Sequence, residues 1–175
     1  MIIVETSRLL LRSLNYSDLE DYYEINRDYK VSYLQGFKSF SSLLEAREKL
    51  AKAIILNQEY AIVLKENKKV IGTFSIHPYS LTKSYINKNY TIGYVINKNY
   101  QHLGYMSELL PKVLYFIFHD LKANCIWVSH LLGNKTSKKL IKNNQFIFLK
   151  YGIYYFKDLK LLRLRKIYYL KSQAK

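Results

Sequence analysis

The sequence predicts a mixed α/β domain in which strands outnumber helices, and three observations lead to this prediction. Short runs rich in β-branched and aromatic residues alternate with segments of helical periodicity through the second half of the chain. Two Ser-x-x-Glu patterns, which are typical of helix starts, begin at Ser17 and Ser42. No segment rich in Pro, Gly and Ser interrupts the 175 residues, which contain 6 Gly and 2 Pro, so residues 1–175 are expected to form one domain.

The first half of the chain is predicted to contain a strand, two helices and a β-hairpin. The strand follows from an apolar run, each helix from one of the Ser-x-x-Glu patterns, and the hairpin from two β-rich runs separated by three polar residues. In chain order these elements are a strand at 8–13, helices at about 18–28 and 43–57, and hairpin strands at 59–65 and 69–77.

The second half is predicted to interleave strands with helices. In chain order the elements are a loop at 79–88, a strand at 89–97, a turn at 98–104, a helix at 105–121, a strand at 124–131, a helix from a cap at 134 or 136 to about 144, and strands at 146–155 and 161–170. Gly93 lies inside the first of these strands, where a glycine often marks a bulge or a close backbone approach. Pro111 lies inside the first of these helices, and its missing N–H predicts a kink or a shifted helix start.

The chain is strongly basic, and its charge is unevenly distributed. There are 28 Lys and Arg against 13 Asp and Glu, which gives a formal net charge of +15. Residues 1–48 have a net charge of −2, whereas residues 130–175 have twelve bases and one acid, a net charge of +11. Three interpretations stay open: solvated lysines without a partner, a phosphate-bearing cofactor, or a nucleic-acid or ribosomal partner.

The composition excludes several classes of protein. The single cysteine, Cys125, excludes a disulfide framework and indicates a reducing compartment. With four His and one Cys, no cluster has the spacing of zinc ligands, so no metal site is expected. A purely apolar stretch such as 113–118 is far shorter than the ~20 residues of a membrane span, and the first residues do not resemble a signal peptide. The sequence therefore predicts a soluble, cytoplasmic protein without a membrane partner.

The segment 91–110 has the pattern of a strand, a tight turn with one glycine, and the start of a helix. The first turn of a helix has unpaired N–H groups and the positive end of the helix dipole, which together favour a phosphate or pyrophosphate. Gly104 in the turn lets the backbone approach such an anion closely. The pattern therefore indicates a site for a phosphate-bearing ligand.

Within this segment, NYQHLGYMSEL resembles the acetyl-CoA loop of the GNAT N-acetyltransferase superfamily, whose signature is Q/R-x-x-G-x-G/A. Gln101 and Gly104 match the first and fourth positions of the signature, and Ser107–Glu108 resemble the pair at the helix start in the RimJ/RimL-like branch. Three other stretches resemble that branch in order and spacing, and the resemblance covers nearly the whole chain. They are ETSRLLLRSLNYSDLEDYYEI (5–25), KVIGTFSI (69–76) and NKTSKKLIKNNQF (134–146).

The resemblance implies a GNAT fold with a central, mostly antiparallel, splayed sheet of about six to seven strands flanked by about four helices. It also implies acetyl-CoA as the cosubstrate. In the family, the strand before the loop separates from its neighbour and frees backbone N–H groups for the acyl carbonyl and the pantetheine arm. The residues that the resemblance assigns to cofactor binding are Tyr94, Val95, Ile96, Gln101, His102, Leu103, Gly104, Tyr105, Met106, Ser107, Asn134, Ser137 and Lys138.

The resemblance points to two candidate catalytic residues. Ser137 is the candidate for returning a proton to the CoA thiolate, since a thiol has a reference pKa of ~8.5 and needs little help. Helix capping is the alternative role for Ser137 and Asn134. Glu108 is an orienting group or a base that acts through water, because a carboxylate at a helix N-terminus is stabilised as the anion. The branch often has a glutamate two residues before the strand glycine, and Thr91 occupies that position here.

The predicted function is an N-acetyltransferase that transfers acetyl from acetyl-CoA to a primary amine, either a protein N-terminus or a small molecule. The protein is expected to be a monomer or a homodimer. The first predicted helix is rich in acids, which indicates a solvated face or a surface for a cationic acceptor. The alternative function is a catalytically weak GNAT-fold module that binds RNA or the ribosome through its basic C-terminal region, where Lys and Arg interleave with aromatic residues.

Overall fold

A computed structural model describes residues 1–79 and 88–172 of the chain, and within these ranges eight strands form one sheet. The strands are β1 (Ile2–Glu5), β2 (Leu9–Ser13), β3 (Glu59–Leu64), β4 (Val70–Pro78), β5 (Asn89–Ile96), β6 (Cys125–Leu131), β7 (Ile147–Phe156) and β8 (Leu161–Lys171). Every predicted strand is present, and β1 is an additional strand that pairs with β2. The predicted loop at 79–88 lies almost entirely outside the described residues.

Five α-helices flank the sheet in the described ranges. They are α1 (Leu19–Arg27), α2 (Tyr29–Gln35), α3 (Leu43–Leu56), α4 (Tyr105–His119) and α5 (Lys135–Asn143). The short helix α2 has no counterpart among the predicted elements. The helix expected around Pro111 begins at Tyr105 as predicted and continues through the proline, so its start is not shifted. No helix of the described ranges is long and apolar enough to cross a membrane.

The sheet has the strand order β1-β2-β3-β4-β5-β6-β8-β7, and its neighbouring strands are antiparallel except for β5 and β6. The parallel pairing runs from Asn89 opposite Cys125 to Ile92 opposite Val128 and ends there. Both strands continue for several residues beyond this point, so a gap opens between their ends. The splayed, mostly antiparallel sheet expected for a GNAT fold is therefore confirmed, with a strand and a helix more than predicted.

Two apolar cores cover the two faces of the sheet. On one face α4 and α5 pack around Phe74, Leu109 and Ile141, all of which are fully buried. On the other face α1 and α3 pack around Ile25 and Leu50. The apolar side chains of β5 alternate between these cores, as they must along a strand. The gap therefore opens beside β5, a strand whose side chains pack into both cores.

A buried ion pair between Arg12 and Asp18 lies directly before α1. Arg12 donates from Nη1 and Nη2 to the Asp18 carboxylate at 2.8 and 2.7 Å, and Asp18 is only 4% exposed. Asp18 also accepts from the N–H of Asn15, whose side chain accepts from the N–H of Ser17. The capping box predicted from Ser17 to Glu20 is thus wrong in position. It runs from Asn15 to Asp18, because a turn of 3₁₀ helix precedes α1.

Asp18→Asn is expected to destabilise the protein by about 3 kcal/mol, since removing one partner of a buried pair leaves Arg12 without its counter-charge. Urea denaturation of both proteins measures the difference. The matched control is Glu20→Gln, because Glu20 is exposed on the same helix, and its effect should stay within about 0.5 kcal/mol. Equal effects of the two substitutions would contradict a stabilising role of the ion pair.

Candidate active site

The gap between β5 and β6 exposes one edge of β5. Gln35 Nε2 donates to the carbonyl of Tyr94 at 3.1 Å, and Gln101 Nε2 donates to the carbonyl of Ile96 at 2.9 Å. Since the N–H and C=O groups of one residue point to the same side of a strand, the N–H groups of Tyr94 and Ile96 also face the gap. The pairing with β6 ends before these residues, so the gap presents backbone donors that β6 does not use.

A groove with a cavity volume of about 190 Å³ connects the gap with the starts of α4 and α5. Eleven of the thirteen residues predicted to bind a cofactor line this groove, and Leu103 and Lys138 do not. Leu103 is 52% exposed and its carbonyl accepts from Arg8 Nη1 at 3.2 Å, while Lys138 is exposed on α5. Lining residues that were not predicted are Val31, Leu34, Gln35, Tyr100, Thr136 and Leu140.

Gly104 shapes the end of the groove at α4. It is the N-cap of α4 and has φ = 80°, a left-handed conformation that glycine adopts without steric cost. No side chain caps this end of α4, so the first N–H groups of the helix are left for another acceptor. Together with the helix dipole they suit a diphosphate, which is the group that coenzyme A carries. The residues at this end therefore fit the cofactor that the sequence implies.

Glu108, in the first turn of α4, binds the turn between β1 and β2 through both carboxylate oxygens. Its Oε1 accepts from Thr6 Oγ1 at 2.6 Å and from Ser7 Oγ and the Arg8 N–H, each at 2.9 Å. Its Oε2 accepts from Arg8 Nε at 2.6 Å. The Arg8 guanidinium also lies 4.6 Å from the centre of the Tyr105 ring. Together these contacts form the Glu108 clasp, which joins segments that are about 100 residues apart.

The clasp sets the ionisation of its carboxylate. Burial raises the pKa of Glu108, but hydrogen bonds from Thr6, Arg8 and Ser7 outweigh that effect and lower the pKa to about 2. Glu108 is therefore an anion throughout the neutral range. A carboxylate with so low a pKa is a weak proton acceptor at neutral pH.

The start of α5 contributes amide and hydroxyl groups to the groove. Asn134 is the N-cap of α5, and its Oδ1 accepts from the N–H of Ser137 at 3.0 Å. This cap uses the backbone of Ser137 and not its hydroxyl, so the capping role does not compete with a role of the side chain in the groove. Across the described part of the chain, no three His, Cys, Asp or Glu side chains come together in a way that could hold a metal ion.

The hydroxyl of Tyr94 is a polar group of the site that sequence reasoning missed. The Tyr94 ring stacks on Phe74 with centroids 6.3 Å apart, and its hydroxyl is buried without a hydrogen-bond partner among the described residues. Burial raises the pKa of Tyr94, and the proximity of Ser137 partly offsets this effect. An unpartnered buried hydroxyl is costly, so this group is a candidate for a functional role. No local pattern in the sequence signals this arrangement.

Glu108→Gln is expected to lower stability at pH 7, and the difference from the wild type should shrink between about pH 4.5 and pH 2. The pKa of Glu108 is lowered in the folded state, so its stabilisation is present above the pKa of the unfolded chain, ~4.3, and is lost as the pH falls through the folded pKa. Thermal denaturation at several pH values measures this. Glu66→Gln, at an exposed position between β3 and β4, is the control. A difference that is the same at pH 2.5 and pH 7 would count against the clasp.

Known proteins resemble this chain in sequence and in fold. The family model described as the acetyltransferase (GNAT) domain matches residues 8–147. The uncharacterised N-acetyltransferase YoaA of Bacillus subtilis (strain 168) is 26% identical over 144 residues, which cover 79% of this chain and 79% of that protein. Its similarity, like the family model, extends over most of the chain.

Solved structures share the whole architecture. An acetyltransferase of the GNAT family from Bacillus anthracis superposes with a TM-score of 0.85 at 21% identity, covering 98% of both chains. RimL, the ribosomal L7/L12 α-N-protein acetyltransferase, solved in complex with coenzyme A, superposes with a TM-score of 0.79 at 20% identity over 100% of both chains. The family model matches most of the chain, including β5, β6 and the start of α4. The chain therefore belongs to the GNAT family of acyl-CoA-dependent acetyltransferases.

Proposed function

We propose that this enzyme transfers the acetyl group of acetyl-CoA to a primary amine. The observation that carries the proposal is the divergence of β5 from β6, which leaves the N–H groups of Tyr94 and Ile96 facing a groove that ends at the start of α4. Backbone donors at one end and a helix N-terminus at the other suit a molecule with a carbonyl and a diphosphate. Acetyl-CoA has both groups and supplies the acetyl as an activated thioester.

Backbone N–H groups of the groove provide most of the binding of acetyl-CoA and polarise its acyl carbonyl. The N–H groups after Gly104 bind the diphosphate, and the N–H groups along β5 donate to the acyl oxygen or the pantetheine arm. Donors that are fixed before the reaction stabilise the negative charge that develops on the oxygen. The amine nitrogen bonds to the acyl carbon, the carbon–sulfur bond breaks, the amine loses one proton and the departing sulfur gains one.

Ser137 and Tyr94 are the side chains proposed to protonate the sulfur. Both line the groove, and the buried Tyr94 hydroxyl has no hydrogen-bond partner among the described residues. Because burial raises its pKa, Tyr94 keeps its proton at neutral pH and is able to donate it. Ser137 is near enough to offset part of the rise in the pKa of Tyr94, so the two hydroxyls together are the proposed route for the proton.

Of the two roles predicted for Glu108, the orienting role is the one we propose. Donors from Thr6, Ser7 and Arg8 already occupy both carboxylate oxygens, and the pKa of about 2 disfavours proton uptake. The Glu108 clasp instead fixes the first turn of α4, whose N–H groups are proposed to bind the diphosphate. Glu108 is therefore a positioning residue for the cosubstrate.

The basic C-terminal hairpin of β7 and β8 has internal partners for its charges. The Arg165 guanidinium lies 4.6 Å from the centre of the Tyr154 ring and 4.7 Å from that of Phe156, and Lys166 Nζ lies 5.2 Å from that of Tyr151. Such cation–π contacts stabilise the hairpin itself. They account for the interleaved basic and aromatic residues without an RNA partner, so acetyl transfer is the single function proposed.

Gly104→Trp is expected to weaken acetyl-CoA binding by at least about tenfold, equivalent to ~1.4 kcal/mol. The new side chain would have to adopt φ = 80° and would fill the space beside the N–H groups of α4. Calorimetric titration with acetyl-CoA measures the dissociation constant, and release of free thiol in the presence of amines measures transfer.

The control for this substitution is Lys122→Trp, which places the same side chain at an exposed position of positive φ beyond the C-terminal end of α4. It should bind acetyl-CoA as the wild type does. Absence of binding to the wild type at millimolar acetyl-CoA would rule out the proposed function.

Tyr94→Phe is expected to lower kcat by roughly 10²-fold and to leave the KM for acetyl-CoA within about twofold, since it removes a proton donor without changing the shape of the groove. Steady-state thiol release measures both constants. Tyr100→Phe is the matched control, because Tyr100 lines the same groove and its loss of a hydroxyl should leave kcat unchanged. An unchanged kcat in Tyr94→Phe and in Ser137→Ala would refute the proposed relay.

A further inference from the structure

A second cleft lies on the face of the sheet that α1 and α3 cover. Its cavity volume is about 500 Å³, and Val95 lines both this cleft and the groove of the first site. Phe37, Phe40 and Leu56 contribute apolar walls, and Glu59 contributes a carboxyl group from the sheet. The Glu59 carboxyl group thus lies in a cleft with apolar walls beside the proposed site of acetyl transfer.

Glu59 has no cationic partner among the described residues. It accepts a long hydrogen bond of 3.5 Å from the Tyr22 hydroxyl, and Thr73 also lies close to it. Burial raises the pKa of Glu59, and contacts with Thr73 and Tyr22 only partly offset this effect. A carboxyl that is costly to ionise in the free protein, and whose pKa lies nearer to neutrality, is suited to accept a proton.

The sheet register places Glu59 in line with the gap. Glu59 pairs with Ser75 of β4, and Ser75 pairs with Gly93 of β5, the first residue beyond the paired part of β5 and β6. Adjacent strands lie ~4.8 Å apart, so the Cα atoms of Glu59 and Gly93 are separated by about 10 Å. A glutamate side chain and one water molecule span that distance. Ser75 Oγ lies only 2.8 Å from where a Cβ on Gly93 would stand, so any larger residue at position 93 would crowd Ser75 between the two strands.

The rim of the cleft is basic. Lys38, Lys49 and Lys52 line it, and none of them forms an ion pair with an acid of the described chain. Glu45 also lines the cleft and accepts from the N–H and hydroxyl of Ser41. These bonds, and the charges of Lys49 and Lys38, lower the pKa of Glu45. Lys49 and Lys52 are three residues apart on α3 and so share one side of the helix.

The acids that the sequence placed on α1 and at its ends bind bases of the chain itself. Asp21 and Glu24 both accept from Lys69 Nζ at 2.8 Å, and Asp28 accepts from Lys98 Nζ at 2.8 Å. These three acids are therefore used in structural ion pairs, which favours an anionic over a cationic acceptor. Positive charge dominates the entrance to the cleft.

We infer that this cleft is the acceptor site, in which Glu59 takes a proton from the attacking amine and the lysines bind an anionic group of the same small molecule. The inference rests on the proposed acetyl transfer and names the class of its acceptor: a small primary amine that carries a carboxylate or phosphate. The ammonium form gives its proton to Glu59, directly or through one water, and the neutral amine attacks the acyl carbon. Glu59 then returns the proton to solvent.

Glu59→Gln is expected to reduce kcat/KM for the amine by at least about 10²-fold. It should also remove the acidic limb of the pH profile of kcat/KM, because that limb reports the ionisation of the base in the free enzyme. The dissociation constant for acetyl-CoA should not change, which shows that the protein is folded. Retention of the wild-type pH profile would overturn the role of Glu59.

Other titratable groups also face Glu59, and their effect on the pH profile of kcat/KM has to be considered. The elements packed against it contribute uncharged Thr73 and Val95 from β4 and β5 and several titratable side chains. These are Tyr22 from α1, Lys38 from the segment before α3, and Glu45, Lys49 and Lys52 from α3. The pKa of Tyr22 is raised by burial and by Glu59, and that of Glu45 is lowered, so neither moves towards neutrality.

The preference for an anionic amine is tested with three acceptors of equal length: 4-aminobutyrate, butylamine and 1,4-diaminobutane. The kcat/KM for 4-aminobutyrate should exceed that for the diamine by at least about tenfold, through KM. The double variant Lys49→Gln/Lys52→Gln should abolish this preference, and Lys112→Gln, at an exposed position on α4, should retain it. A preference for the diamine, for butylamine or for a neutral N-terminal tetrapeptide would overturn the proposed acceptor class.

Binding without turnover separates this inference from the proposed function. Saturation-transfer NMR should detect 4-aminobutyrate on the wild-type protein in the absence of acetyl-CoA, and the signal should be lost in the double variant. If acetyl-CoA does not bind but this signal is present, the proposed acetyl transfer is refuted, whereas the binding of an anionic amine in the cleft is supported. If acetyl-CoA is turned over with other amines and the signal is absent, the cleft is not the site inferred.

Discussion

The early end of the pairing between β5 and β6 is the constraint on which the rest of the site depends. A strand that separates from its neighbour leaves backbone N–H and C=O groups without partners, and such groups are costly unless they are satisfied. Gln35 and Gln101 donate to the carbonyls of Tyr94 and Ile96 and so satisfy them. The N–H groups of Tyr94 and Ile96 are left as donors towards the groove.

Much of the fold follows from short-range patterns, and these are the parts that the sequence predicted well. Ser42 caps α3 with its hydroxyl at 3.2 Å from the N–H of Glu45, and Asn134 caps α5, as expected from local spacing. The glycine in the loop before α4 has the left-handed conformation that such a turn requires. In each case the deciding contacts lie within a few residues of one another, so a single stretch of sequence contains the information.

The parts that were not predicted depend on residues far apart in the chain. Helix α2 has seven residues, too few for a clear apolar period, yet its last residue, Gln35, reaches β5. Glu59 stands at a strand end, where a glutamate ordinarily faces water, and only the packing of α1 and α3 encloses it. The partners of Glu108 are 100 to 102 residues away. Tertiary contacts of this kind leave no local signal.

The Glu108 clasp has a consequence for how sequences with this fold can diverge. Thr6, Ser7 and Arg8 all donate to the Glu108 carboxylate, so replacing Glu108 leaves several donors without an acceptor. Replacing Arg8 leaves the carboxylate without its cationic partner. Substitutions at these positions are therefore expected to have non-additive effects on stability. The turn between β1 and β2 and the first turn of α4 thus constrain each other's sequence through one shared carboxylate.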